Sequence, residues 1–185
     1  MDYIVYAPSS DVHDFTPFTR CKAVLNLWAG VEDVTGNSTL KMPLARMVDQ
    51  GLTRGMVEWV VGHTLRHHLG MDAHLNGQDG MWRKAIQPLA EDRRVTLLGL
   101  GALGVACADA LLALGFQMRG YSRQPKNIPG MDTFSAGGGL QAVLEGAEIV
   151  ILLLPQTPQT ENILNAQTLS LLAPGAVVIN PGRGP

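Results

Sequence analysis

The stretch that most constrains this chain runs from Arg93 to Leu114. An apolar run, Val95-Thr96-Leu97-Leu98, ends in Gly99-Leu100-Gly101-Ala102-Leu103-Gly104 and passes directly into Val105-Ala106-Cys107-Ala108-Asp109-Ala110-Leu111-Leu112. That order predicts a buried parallel strand, a tight Gly-x-Gly-x-x-Gly turn and a helix whose N-terminus faces the turn. The three glycines have separable tasks: Gly99 permits the turn, Gly101 lets backbone approach a pyrophosphate, and Gly104 lets the helix pack close to the strand. Uncompensated N–H groups at the helix N-terminus then stabilise phosphate charge. A glycine turn can also be purely structural. The correct strand before it and helix after it favour a dinucleotide site.

Around this unit strand and helix alternate. The pattern predicts a helix over residues 105–114 capped by Gly115 and a strand over 116–121. A weak strand near 133–134, a helix over 140–145 and a buried strand over 148–154 stopped by Pro155 follow. Helical spacing resumes around 160–172, and 176–180 is the last strand. Such alternation predicts an α/β fold with a Rossmann-type, doubly wound parallel sheet. Upstream, short strands are expected at 2–7, 23–27 and 44–48, with connections too short for full crossover helices. Residues 53–75 read as one long helix, with Met56, Val57, Val60, Val61, Thr64, Leu65 and Leu69 in helical period and Gly77 ending it. The expected division is 1–52, part of a first domain; 53–92, an interdomain helix and linker; and 93–185, a partial nucleotide-binding domain.

A chain of 185 residues that is 46% hydrophobic and 16% charged has ample core for a globular fold. Its net charge of −2 provides no bulk attraction for nucleic acid or an anionic membrane. No signal peptide or apolar span of about 18 residues is apparent, so a cytoplasmic location is expected. Cys21 and Cys107 have neither metal nor redox spacing, and Cys107 reads as a small core residue rather than a redox thiol.

The second strand of the nucleotide unit carries the choice between NAD(H) and NADP(H). An Asp or Glu roughly twenty residues after the glycines binds the adenosine ribose hydroxyls of NAD. Here the strand ends Tyr121-Ser122-Arg123-Gln124-Pro125-Lys126, without a carboxylate. A hydroxyl, a guanidinium and an ammonium cluster where a 2′-phosphate would lie, so NADP(H) is expected in preference to NAD(H).

Several motifs together resemble one family, the D-isomer-specific 2-hydroxyacid dehydrogenases, and most closely their glyoxylate/hydroxypyruvate reductase A-type branch. They are Leu27-Trp28-Ala29-Gly30-Val31-Glu32, Met56-Val57-Glu58, the glycine turn, Leu152-Leu153-Leu154-Pro155-Gln156-Thr157-Pro158-Gln159-Thr160, and Val178-Ile179-Asn180-Pro181-Gly182-Arg183-Gly184. The resemblance implies that residues 1–52 belong to a flavodoxin-like substrate domain. It also implies that the Trp28-Ala29-Gly30 turn holds a substrate carboxylate on backbone amides. Trp28 stands where relatives often have glycine, which would narrow the pocket toward small acids. By the same resemblance Leu103 and Gly104 contact the pyrophosphate, and Leu154, Pro155 and Gln156 wall the ribose sites. Thr160 would lie near the phosphates, and Asn180 and Pro181 under the nicotinamide. Proline forfeits a backbone donor there. Arg183 matches the catalytic arginine, a planar bidentate group suited to a carboxylate and its adjacent carbonyl.

The implied function is NADPH-dependent reduction of a small 2-keto acid by hydride transfer, in a protein that dimerises. The family's proton donor is a histidine whose pKa a glutamate raises, and both are expected beyond residue 185, so the chain alone should turn over little. His13 lies in an early polar loop. His63, His67, His68 and His74 crowd the long helix; His63 and His67 are four apart, but no third metal ligand is evident, and a polar helix face is the simpler reading. Trp59 and Trp82 are expected to be packing residues. Two rivals share the fold: a nucleotide-sensing, corepressor-like binding protein, and an inactive fragment with a scaffolding role.

Overall fold

The computed structural model describes residues 1–182. Two parallel sheets form. The first is small, with β1 (Tyr3–Tyr6), β2 (Ala23–Asn26) and β3 (Leu44–Ala45) in the order β1-β2-β3. Its core, Ile4, Tyr6, Phe15, Val24 and Val34, is separate from the rest. Only two residues of the expected third strand keep regular pairing, although Met47 N–H still donates to Trp28 O at 3.3 Å.

Helix α1 (Gln50–His68) opens at Asp49, whose carboxylate accepts the Leu52 N–H at 3.0 Å. The single helix expected over 53–75 is in fact two. Gly70 takes a left-handed φ of 63° that ends α1, and α2 (Met71–Asn76) starts after it. The buried face of α1 centres on Val60, Thr64 and His68, and Met56, Val57, Val61 and Leu65 pack beside it on the nucleotide unit.

The second sheet contains β4 (Arg94–Leu98), β5 (Gln117–Ser122), β6 (Asp132–Ser135), β7 (Ile149–Leu152) and β8 (Val177–Ile179), all parallel, in the order β6-β5-β4-β7-β8. Chain order thus reverses beside β4, where ligands bind in open α/β sheets. Side chains of β4 alternate. Val95 and Leu97 face α1 and α3 (Ala102–Ala113), while Leu98 joins Val143, Leu144 and Val150 under α4 (Gly139–Leu144). Thr96 on that second face donates its hydroxyl to Val143 O at 2.8 Å. Each fully buried Leu or Ile contributes about 1.5–3 kcal/mol.

The helix expected around 160–172 shrinks to α5 (Ala166–Leu169). Thr160 Oγ1 donates to Pro155 O at 2.6 Å and accepts from Thr157 N at 2.9 Å, which folds this stretch into turns. Asn162 sits at φ 53°, and Asn165 starts the short helix with a capping box. Trp82 does not pack as expected. It is 93% exposed, in a stretch (residues 81–89) that forms neither helix nor strand and is exposed at nearly every position.

At the foot of the sheet Arg93 pairs with Glu148 at 2.9 Å, and Glu148 also accepts the Arg94 N–H at 2.9 Å, which ties β4 to β7. His68 lies edge-on to Phe116, 4.9 Å between centroids, beside Arg93. Burial first, and then Arg93, lower the pKa values of His67 and His68 below the ordinary 6.5, against the opposing pull of Glu148. The unfolded chain therefore takes up these protons before the folded one does. The imidazoles carry no penalty above pH 6.5, and stability falls as the pH drops through that value. Denaturant melts at about pH 7.5 and about pH 5.5 should show this loss, and His68→Gln should reduce it while leaving the share of His67.

Candidate functional site

Between the two sheets lies a cleft of about 600 Å³. It brings together Trp28, Ala29 and Gly30 after β2, Gly101, Leu103 and Gly104 of the glycine turn, Leu154 and Pro155 after β7, and Pro181 after β8. These positions span more than 150 residues of sequence, yet all lie where strands end.

The 28–30 turn is held from behind. Asn26, 4% exposed at the end of β2, donates its side-chain amide to Trp28 O and Gly30 O, both at 2.8 Å. Trp28 itself is 45% exposed at the cleft. Opposite, Gly99 sits at φ 108°, where a Cβ would come within 2.3 Å of Leu153 O. A Cβ on Gly104 would stand 1.9 Å from Gly99 O, so helix and turn touch backbone to backbone. A Cβ on Gly101 would meet nothing within 4 Å. Gly101 is the N-cap of α3 and supplies no side-chain cap, so the first N–H groups of this 12-residue helix are left to the cleft. Their partial positive charge suits an anion.

The loop after β5 is more engaged than its sequence implies. Ser122 is buried and donates to Gln124 O at 2.6 Å, so its hydroxyl shapes the loop. Lys126 donates its ammonium to Leu100 O of the glycine turn. Arg123 is exposed and forms no ion pair among the described residues. Gln156, Thr160 and Asn180 line an adjoining hollow of about 290 Å³ rather than the main cleft. Asn180 Oδ1 accepts the Gly182 N–H at 3.0 Å, while Arg183 lies outside the described residues.

The structure adds cleft residues that sequence reasoning passed over: Arg46, Met47, Val48 and Asp49 after β3, and Leu52, Thr53 and Met56 on α1. Their local signals are the helix-cap pattern at Asp49 and the Met56-Val57-Glu58 motif, neither of which assigns them to a cleft. None of the histidines is among the described residues of the cleft. His63 instead stacks near Trp59, 4.0 Å between ring centroids. Among the described residues there is no cluster of three or more metal-ligating side chains, and no helix is long and apolar enough to cross a membrane. Burial pushes the Cys107 thiol up to about 11, so it is an inert core group.

Fold and cleft together define a Rossmann-type protein with a glycine turn at a helix N-terminus facing a second, smaller sheet. The model of the D-isomer specific 2-hydroxyacid dehydrogenase NAD binding domain matches residues 60–185, and the chain belongs to that family. It is 36% identical over 173 residues to glyoxylate/hydroxypyruvate reductase A of Serratia proteamaculans, and 37% over 172 residues to that of Yersinia enterocolitica. These alignments cover 89% and 88% of this chain and 55% of each relative, so the chain spans about half the length of the curated relatives it matches. A D-isomer specific 2-hydroxyacid dehydrogenase from Xanthobacter autotrophicus, solved with NADPH and MES, superposes with a TM-score of 0.92 at 36% identity. That match covers 100% of this chain and 59% of the other. The NADPH-dependent glyoxylate/hydroxypyruvate reductase from Sinorhizobium meliloti, solved with NADP and sulfate, gives 0.89 at 36% identity, covering 100% and 60%.

The glycines separate packing from access. Gly104→Ala should lower the melting temperature by about 6–12 °C, the effect of about 3 kcal/mol of overpacking in a domain this size. Gly101→Ala should move it by no more than about 2 °C, since its Cβ would enter open space. Circular dichroism melts of the two variants check both outcomes.

Proposed function

We propose that the protein is an NADPH-dependent reductase of small 2-keto acids, with glyoxylate or hydroxypyruvate as substrate and the 2-hydroxy acid as product. The observation that carries this reading is the cleft of about 600 Å³ in which the Trp28–Gly30 turn faces the Gly101–Gly104 turn. The reductase names of the relatives, and the NADPH and NADP in two structural neighbours, support it.

The residues fit a dinucleotide: the glycine turn is open at Gly101, and the orphan N–H groups of α3 border the cleft. NADPH, when bound, supplies the hydride for the keto carbon. The N-terminus of α3, through Leu103 and Gly104, holds the pyrophosphate. Arg123 receives the 2′-phosphate, and Lys126, already against the glycine turn, adds positive charge beside it. Leu154 and Pro155 keep water from the reacting face. Backbone N–H groups of Ala29 and Gly30 hold the substrate carboxylate, with Trp28 limiting its size. Arg183 bridges carboxylate and carbonyl, and polarises the carbonyl as negative charge develops on oxygen. The proton that must reach that oxygen comes, on this reading, from a histidine with a glutamate partner. The family's histidine role has no occupant among the described residues of the cleft.

Full-length protein should oxidise NADPH with glyoxylate and hydroxypyruvate. NADPH binding without reduction of any 2-keto acid overturns the reading. Arg123→Ala should lower kcat/KM for NADPH by about 10–100-fold, the worth of a charge-assisted hydrogen bond, and leave NADH within about twofold.

The protein acts as a homodimer on this reading. Leu75, Met81, Trp82, Ile86 and Leu89 are each more than 60% exposed within one stretch of sequence, which favours an interface there. Trp82→Asp should convert a dimer to a monomer in sedimentation velocity, and an unchanged wild-type dimer would exclude this surface.

A further inference from the structure

The N–H groups of Ala29, Gly30 and Val31 border the cleft and donate to no protein acceptor among the described residues. Three successive free donors facing a hollow make an anion-binding concavity only if their peptide planes are held at the right tilt. We infer that Asn26 is the positioning residue that sets this tilt. The inference rests on the proposed function for what the donors hold.

The argument follows from planar trans peptides, and no cis bond occurs among the described residues. In a trans unit the N–H of one residue points opposite to the C=O of the residue before it. Trp28 O is turned toward two donors, Asn26 Nδ2 at 2.8 Å and Met47 N at 3.3 Å. Fixing that carbonyl aims the Ala29 N–H the other way. Gly30 O receives the second Asn26 Nδ2 proton at 2.8 Å, which aims the Val31 N–H the other way in turn. Asn26 is not a cleft residue, so both N–H groups point from its buried side toward the cleft. The Ala29–Gly30 peptide is pinned between two fixed neighbours.

The side chain is chosen for donation rather than packing. Both Nδ2 protons are used, while Oδ1 is buried with no hydrogen-bond partner among the described residues. Exchanging oxygen and nitrogen would set Oδ1 against two carbonyl oxygens, so only this amide orientation makes the bonds. An orphaned buried acceptor costs stability, and asparagine is a poor strand residue. An apolar residue on β2 would avoid both costs but would leave Gly30 O without this donor and Trp28 O with only the 3.3 Å bond from Met47 N.

Two variants of the full-length enzyme test this: Asn26→Ala removes both bonds, and Asn26→Asp keeps the size but faces a carboxylate toward the two carbonyls. The readouts are inhibition by oxalate as a carboxylate probe, KM for glyoxylate, kcat, NADPH affinity and melting temperature. The expected result for Asn26→Ala is a rise of about tenfold or more in the oxalate inhibition constant and the glyoxylate KM, with NADPH affinity within about twofold. Asn26→Asp should weaken oxalate binding further. The alanine variant introduces no charge and keeps the test open if the aspartate variant does not fold. A lower melting temperature with unchanged oxalate affinity would reduce Asn26 to a structural role and overturn the inference alone. Wild-type enzyme with no affinity for oxalate would overturn the functional reading and the inference with it.

Discussion

The cleft depends on the packing of α1 against the nucleotide-binding sheet. Val60 is fully buried there with Cys107, Ala108 and Leu111 of α3 and Phe116 beside them. This helix follows the small sheet in the chain yet buries its apolar face on the larger one. Its first turn, from Asp49 to Thr53, therefore forms part of the cleft wall, while the strand ends before it carry the Trp28–Gly30 turn. Loss of the Val60 seam would move that wall relative to the glycine turn, because the small sheet has its own core and no share in the larger one.

Two kinds of close approach then shape the walls. On one side a helix and a turn meet backbone to backbone at Gly104 and Gly99, which brings the first peptide groups of α3 to the cleft edge. On the other side a buried side-chain amide, Asn26, substitutes for backbone pairing where β2 has ended and a regular ladder no longer holds the carbonyls. Both devices leave N–H groups without protein partners at a cleft. That is costly in a packed interior and useful where an anion is to be held.

Much of the larger sheet was legible because its signals are local. The apolar runs at β4 and β7, the glycine turn and the Gly115 stop each lie within a few consecutive residues, and alternation of strand and helix restricts the topology to a parallel sheet. Expectations failed where a side chain or a glycine interrupts a periodic pattern. Gly70 divides a helix that hydrophobic spacing alone would continue, and the Thr157–Thr160 hydroxyl bonds and Asn162 break the helical spacing after β7. Trp82 was misread because aromatic residues are mostly buried, and nothing local distinguishes a surface one.

What the sequence determined by itself was the fold class and the family, because those follow from short motifs whose chemistry is self-contained. The glycine turn required a strand before it and a helix after it, and the apolar runs placed that strand in a parallel sheet. Only the tertiary structure decided which residues share the cleft and how they are held. Arg46 and Val48 border it without any motif. Ser122 spends its hydroxyl on its own loop, and Lys126 reaches back to Leu100. Asn26 acts on a turn whose cleft-facing groups are backbone atoms, identical in every sequence. Their direction is a property of three-dimensional packing, which one-dimensional spacing does not encode.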